Sequence, residues 1–566
     1  MRAFFWALLW LALALPGIAS PLRVRLWQQH PPSKLLVTGT SHAQWRACSG
    51  CRPHGVHELE IKAHGAVLSV SGAGAAAFLV DGSYQLTAEG VTVPLSWPAE
   101  VRASGGQLLI TLTMPLEDYV AGVVTGEAGG ITEPEALNAM AVVARTFAVH
   151  HRGRHAAEGY DLCDTTHCQD LRLAVFAPRA REAAARTEGE LLWYQGQTAA
   201  TYYHRSCGGW LESGAVFQSA HERPLPYLPA HSDPYCVRKG PDEWRGEANK
   251  RELVAALRTA GIQAPADLRT VTVLSRTPGG RAQALRLEGS HPVTVSAERF
   301  RLAVGRTLGW QTVRSDAYQV SDAGDRLVFF GRGQGHGVGL CQAGASVMAA
   351  EGHDYREILA FYFPGTQLGI NAQGLNWKLL ASDRLEMLTT APDQDRQWMD
   401  PALRALHRVE QRTGWTASQR PQLRIYPSVA AFRDSTGEPG WVAASIRGRT
   451  IRLQPPQVLQ RLGTLDSTLI HEFAHFLVES RARPGLPLWF REGLAEWIAD
   501  EPKPTAPIPS SREDLDRRLR EPASQQQLRQ AYAEAYARVN QLVERYGATT
   551  VLSWVEKPSP QLAIGN

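Results

Sequence analysis

The chain lacks an excess of charge of either sign. Its 59 basic and 55 acidic residues leave a formal net charge of +4 over 566 positions, so no nucleic-acid or polybasic membrane footprint is visible. A second long apolar run is also missing. Beyond the N-terminal segment nothing approaches the roughly 20 apolar residues that a spanning helix needs. Glycines crowd Gly331 to Gly339, yet the lysine and hydroxyl residue of a phosphate loop are absent there. Cysteine is sparse and odd in number, at seven, which leaves at least one thiol free, metal-bound or paired to another chain.

The first segment, Met1 to Ala19, has the layout of a secretory signal: Arg2, an apolar run from Ala3 to Leu15, then Gly17-Ile18-Ala19 as a small-residue cleavage site. Pro21 disfavours cleavage after Ser20. No cysteine directly follows the apolar run, which argues against a lipid-anchored start. The expectation is an exported protein, periplasmic or secreted, that does not span the membrane once the signal is removed. That compartment permits disulfides. One scheme pairs Cys48 with Cys51 and Cys207 with Cys236, leaving Cys341 over. Cys48 and Cys51, with His54 and His57, also resemble half of a zinc site, but a second cysteine pair nearby is lacking.

The length favours about three or four domains. From 20 to 112 the chain alternates in short runs (LRVRLW, HELEIKA, AVLSVSG, QLLITLTM) broken by Gly, Pro and Ser. This predicts a β-rich N-terminal region. A mixed α/β core is expected over 113–370, a linker over 371–390, and a mostly helical domain with a small sheet over 391–556. The fold class is thus α+β and multidomain.

Within the core, Leu116, Tyr119, Val120, Val123 and Val124 recur at helical spacing. Gly126, Gly129 and Gly130 then surround Glu127, so the backbone turns and another segment can approach closely. Thr132 and Glu135 form a T-x-x-E capping box ahead of a second helix with an apolar stripe from Leu137 to Ala148. A carboxyl at a turn between two packed helices can be partly desolvated, which raises its pKa and suits it to proton donation. The loop Cys163–Asp164–Thr165–Thr166–His167–Cys168 admits two readings: a zinc site completed by a further ligand such as His155, or a disulfide between its two cysteines.

Five blocks occur in order: PLEDYVAGVVTGE, EALNAMAVVARTFA, CDTTHCQ, YYHRSCGGWLE and GRGQGHGVGLCQAGA. Together they resemble the SpoIID/LytB family, the stage II sporulation protein D and amidase-enhancer type of cell-wall protein. The resemblance implies a lytic transglycosylase of peptidoglycan glycan strands whose essential glutamate is Glu127. It also implies that Ser206 and Gln342 line the glycan cleft, that Arg145 positions the glycan or supports Glu127, and that zinc in the Cys163, His167 and Cys168 loop is structural; the glycines around His336 favour close backbone approach to a substrate there. In this chemistry Glu127 protonates the bridging oxygen, the sugar's own 6-hydroxyl closes onto the anomeric carbon, and one carboxyl serves as acid and then base. A hydrolase would need a second carboxylate to aim water, for which Glu117, Asp118 and Asp164 are the candidates in the blocks. The family's other name implies an alternative, a non-catalytic wall-binding protein that stimulates an amidase partner.

A second chemical signal lies at His471–Glu472–Phe473–Ala474–His475. Residues four apart share a helix face, so both histidines can present nitrogens to one zinc ion, with Glu472 placed to take a proton from water. The following block, Leu488 to Glu496 (LWFREGLAE), resembles the second metal-binding helix of gluzincin metallopeptidases. That resemblance makes Glu492 the third ligand and Glu496 the carboxylate that orients a ligating histidine, or the reverse. Tyr532 and Tyr536 are candidates to stabilise an oxyanion. A third reading then makes the chain a metallopeptidase targeted to the wall by the SpoIID-like unit.

Overall fold

A computed structural model describes residues 21–39, 43–217, 225–240, 242–436, 438–499, 511–520 and 525–562. The expected signal lies outside them. Two compact units divide the chain, one from Ser20 to Gly374 and one from Leu375 onward. Both are mixed α/β, and none of the described helices is long and apolar enough to cross a membrane.

The first unit begins with two sheets. Leu22–Leu26 shows why: Leu22, Val24 and Leu26 are buried while Arg23 points outward, the period of two that a one-sided strand requires. One sheet has seven strands and the other six, and their inner faces share a core of Leu35, Val37, Ile61, Phe78, Leu86, Val101 and Ile110. This β-rich region is not a separate body. Leu22–Leu26 pairs in parallel with Leu162–Cys163 from the cysteine loop, and Asp164 Oδ2 accepts the N–H of Trp27 at 2.7 Å.

The glutamate helix, Leu116–Glu127, packs on the helix Pro134–His150. The second helix carries no mere stripe. Every residue from Ala136 to Ala148 is buried, because further helices cover its other faces. The capping box does not form either: Glu133 occupies the N-cap, Thr132 bonds to Glu133, and Glu135 instead accepts the N–H of Tyr355 at 2.9 Å. Residues 243–332, silent in the sequence, build two three-stranded sheets with helices Lys250–Thr259 and Ala297–Leu308 around a core of Trp244, Leu257, Phe300 and Phe329.

In the second unit a five-stranded sheet runs in the order Lys378–Ala381, Glu386–Thr389, Gln422–Ile425, Thr450–Leu453, Ala444–Arg447. The stretch expected as a linker, 371–390, therefore holds its first two strands. The helices Met399–Thr413, Leu465–Glu479, Leu488–Ala499 and Gln525–Tyr546 complete the unit's core. Gly493 is needed there, since a Cβ would sit 2.3 Å from the carbonyl oxygen of Ala535. That close approach seats the last of these helices directly behind Glu492.

Candidate active sites

Glu127 ends its helix half-buried, with Gly129 and Gly130 exposed just beyond it. Gly126 explains how the site is closed from one side: a Cβ there would lie 2.5 Å from the carbonyl oxygen of Asp170. The segment after the cysteine loop therefore lies against the helix end, and the N–H of Asp170 donates to Glu127 Oε1 at 2.9 Å. Burial holds the Glu127 carboxyl above the ordinary glutamate range. The Asp170 N–H opposes that rise, while the Asp170 carboxylate adds to it. The Tyr203 hydroxyl also hydrogen-bonds Glu127 and accepts from Gln169 Nε2 at 3.3 Å. Asp170, Tyr203 and Gln169 were not singled out from the sequence as site residues, although CQ and YYH stand inside the quoted blocks.

Of the expected cleft residues, Ser206 and Gln342 share one cavity, while Arg145 and His336 stand outside its lining. Gln342 Nε2 donates to the backbone carbonyl of Glu127 at 3.1 Å and so fixes the helix end. Ser206 is buried, exchanges backbone hydrogen bonds with Gln334, and joins Gln342, Gly130 and Ile131 in lining a cavity of about 250 Å³. His336 is half-buried against Tyr202, His204 and Phe217. Its neighbours Gly333, Gly335, Gly337 and Gly339 all adopt positive φ. They let the chain approach its own segments, Ser206–Cys207, His204, Arg281 and Tyr202, where ligand approach was expected.

Arg145 is a correction. It is fully buried and grips Glu117 through two bonds of 2.8 and 2.6 Å, with Thr187, Ala184 and Glu190 taking its other donors. A guanidinium enclosed in this way holds helices together and has no face left for a sugar. Glu117 is thereby spoken for as well. Asp118 accepts from Trp97 Nε1 at 3.0 Å, and Asp164 is tied to Trp27. The carboxylate that does stand near Glu127 is Asp170, and Arg172 pairs with it at 3.2 Å.

In the loop behind this site Cys163 and Cys168 are free thiols. Ligand atoms of His155, Cys163, His167 and Cys168 all lie within 4.8 Å of one another. Cys168 Sγ stands 3.6 Å from His155 Nε2, and Cys163 Sγ 3.7 Å from His167 Nδ1. His155 Nδ1 meets Glu158 at 2.7 Å, the kind of outer carboxylate that orients a ligating imidazole. Two thiols and two imidazoles at this spacing fit a tetrahedral zinc ion. The buried Tyr119 phenol feels the charge of both centres: burial pushes it well above its usual value, and charge on Cys168, Cys163 and Glu127 adds to the rise. At the N-terminal pair the disulfide Cys48–Cys51 is formed, which removes the half zinc site read there.

A family model described as Stage II sporulation protein, SpoIID, matches residues 104–194. An uncharacterized protein of Brachyspira hyodysenteriae is 30% identical over 269 residues, covering 46% of this chain and 68% of the relative. The chain belongs to the SpoIID family over about half its length. Stage II sporulation protein D of Bacillus subtilis is 27% identical, covering 45% of this chain and 74% of the relative. The amidase enhancer of the same organism is 26% identical over 44% of this chain, which spans only 40% of that relative. Glu127, Arg145 and the cysteine loop all fall within the matched SpoIID segment.

Beyond the residues that the SpoIID model matches, the helix Leu465–Glu479 carries His471 and His475, and Leu488–Ala499 carries Glu492 and Glu496. The two Nε2 atoms stand 3.0 Å apart, and His475 Nε2 is 3.1 Å from Glu492 Oε2. Glu496 is buried behind them, 3.8 Å from His471 Nδ1. Three convergent donors with an orienting carboxylate fit a zinc ion that keeps an open position. Burial pushes the neighbouring Glu472 carboxyl up to about 7. His471, Glu472, His475 and Glu492 line a cavity of about 1120 Å³ with Tyr532, whose ring meets that of His471 edge-on at 6.3 Å.

Proposed function

We propose that the SpoIID portion cleaves peptidoglycan glycan strands as a lytic transglycosylase, with Glu127 as acid and then base. The observation that carries this reading is the Glu127 carboxyl itself. Burial biases it toward the protonated form, the Asp170 N–H and Tyr203 hydroxyl aim it, and exposed glycines border it. The stage II sporulation protein D and amidase-enhancer relatives support a cell-wall role. Glu127 gives its proton to the bridging oxygen as the glycosidic bond breaks, and the 6-hydroxyl of the same sugar attacks the anomeric carbon, returning a proton to Glu127. Digestion of purified glycan strands followed by mass spectrometry should reveal anhydro-sugar ends. Their absence would leave the amidase-enhancer reading in place, and their persistence in Glu127→Gln would remove Glu127 as the acid.

A second activity rests on a separate observation, the convergence of His471, His475 and Glu492 in an open cavity. These residues would hold zinc, which supplies Lewis acidity toward a peptide carbonyl. Glu472 takes the proton of the attacking water, and Tyr532 is placed to donate to the developing oxyanion. The strand Ala444–Arg447 favours a peptide substrate, because it is the sheet edge and three of its residues line the same cavity. An extended peptide can add to such an edge through its backbone. The His155, Cys163, His167 and Cys168 set would hold a structural zinc. The chain then acts on wall material after export, to the periplasm or outside the cell.

A further inference from the structure

The expected disulfide between Cys207 and Cys236 is not formed. Both cysteines and Cys341 are free thiols, and all three are buried. Their sulfurs and a carboxylate oxygen of Asp233 lie within 4.8 Å of one another. A tetrahedral ion with bonds of about 2.3 Å needs ligand separations of about 3.8 Å, so the four atoms enclose space for a single ion. A multi-iron cluster would need its cysteines farther apart.

We propose that Cys207, Asp233, Cys236 and Cys341 form a three-thiolate, one-carboxylate zinc site inside the first unit. The surroundings are arranged for sulfur carrying negative charge. Backbone N–H groups of Gly209 and Cys207 point at Cys207 Sγ and Cys341 Sγ, each at 3.3 Å, and that of Gly344 points at Cys341 Sγ at 3.5 Å. Ser206 Oγ stands 3.4 Å from Cys236 Sγ. Asp233 is fully buried, with one oxygen accepting the Cys236 N–H at 3.0 Å. Its other oxygen meets the Tyr362 hydroxyl at 3.0 Å and Cys207 Sγ at 3.3 Å. An anion facing three sulfurs in the interior is costly unless a cation joins it. The buried Arg281 offsets part of the charge, donating to the Cys207 carbonyl at 2.9 Å. Soft thiolates select zinc among the common divalent ions.

The ion would clamp three distant segments. One of them is the start of the helix Gln342–Ala350, whose first residue holds the carbonyl of Glu127. The role is structural support for the end of the glutamate helix, independent of whether Glu127 cleaves glycan.

Cadmium substituted into the full chain and observed by NMR tests this, because thiolate number sets the cadmium chemical shift. A resonance in the three-thiolate range is expected, together with loss of that resonance and of one metal equivalent in Cys236→Ser. Signals from the other two sites should remain. A wild-type spectrum without the resonance overturns the site, whether or not the variant folds. So does a resonance that persists in Cys236→Ser. A non-reducing peptide map joining any two of the three cysteines by a disulfide would do the same.

Discussion

The backbone N–H of Asp170 donates to Glu127 Oε1 at 2.9 Å, joining residues 43 positions apart. This bond sets the direction of the carboxyl while the surrounding burial sets its protonation. Replacing Glu127 with Gln keeps the acceptor and removes the acid. Glycan cleavage should fall by at least about 100-fold, the usual scale of general acid–base catalysis, with the far-ultraviolet spectrum unchanged.

The same substitution has a signature in stability. Burial raises the folded-state pKa of Glu127 above its unfolded value. The stability its protonated carboxyl contributes is fully present below the unfolded value of about 4.3 and is lost as pH rises through the folded one. Glu127→Gln should therefore melt above wild type at neutral pH, with the gap closing on acidification. Glycan cleavage, which needs the protonated form, should decline over a pH range above that of an ordinary glutamate. A profile flat across that range would contradict the assignment.

Arg145 and Glu117 form a buried pair, so removing one partner leaves the other charged and enclosed. Arg145→Met should cost about 3–5 kcal/mol in denaturant unfolding. The outcome separates a structural arginine from a glycan contact, which would instead raise KM with little change in stability.

At the second unit, His471→Ala should lose one zinc equivalent and Glu472→Ala should keep it while losing peptide cleavage. Glu496→Gln should weaken zinc affinity about 10–100-fold, as removal of an orienting carboxylate does elsewhere. Competition with a chelator of known affinity measures this.

Gly126→Ala would place a methyl group 2.5 Å from the Asp170 carbonyl. The segment must shift, at about 1–3 kcal/mol, and its N–H would leave Glu127. Glycan cleavage should then drop more than the melting temperature suggests.

The sequence by itself determined whatever depends on local period. Alternation over Leu22–Leu26 specified a one-sided strand, and i, i+4 spacing put His471 and His475 on one helix face. Tertiary structure alone decided which distant groups meet. Sequence alone makes Arg145 a cleft candidate because it cannot show Glu117 meeting it in the interior, and it pairs Cys207 with Cys236 because spacing cannot show Cys341 and Asp233 arriving beside them. The stretch 371–390 reads as a linker because its strands are short and gain their stability only from pairing within a sheet. Periodicity is written into neighbouring residues, whereas partners 28 to 134 positions apart are chosen by packing.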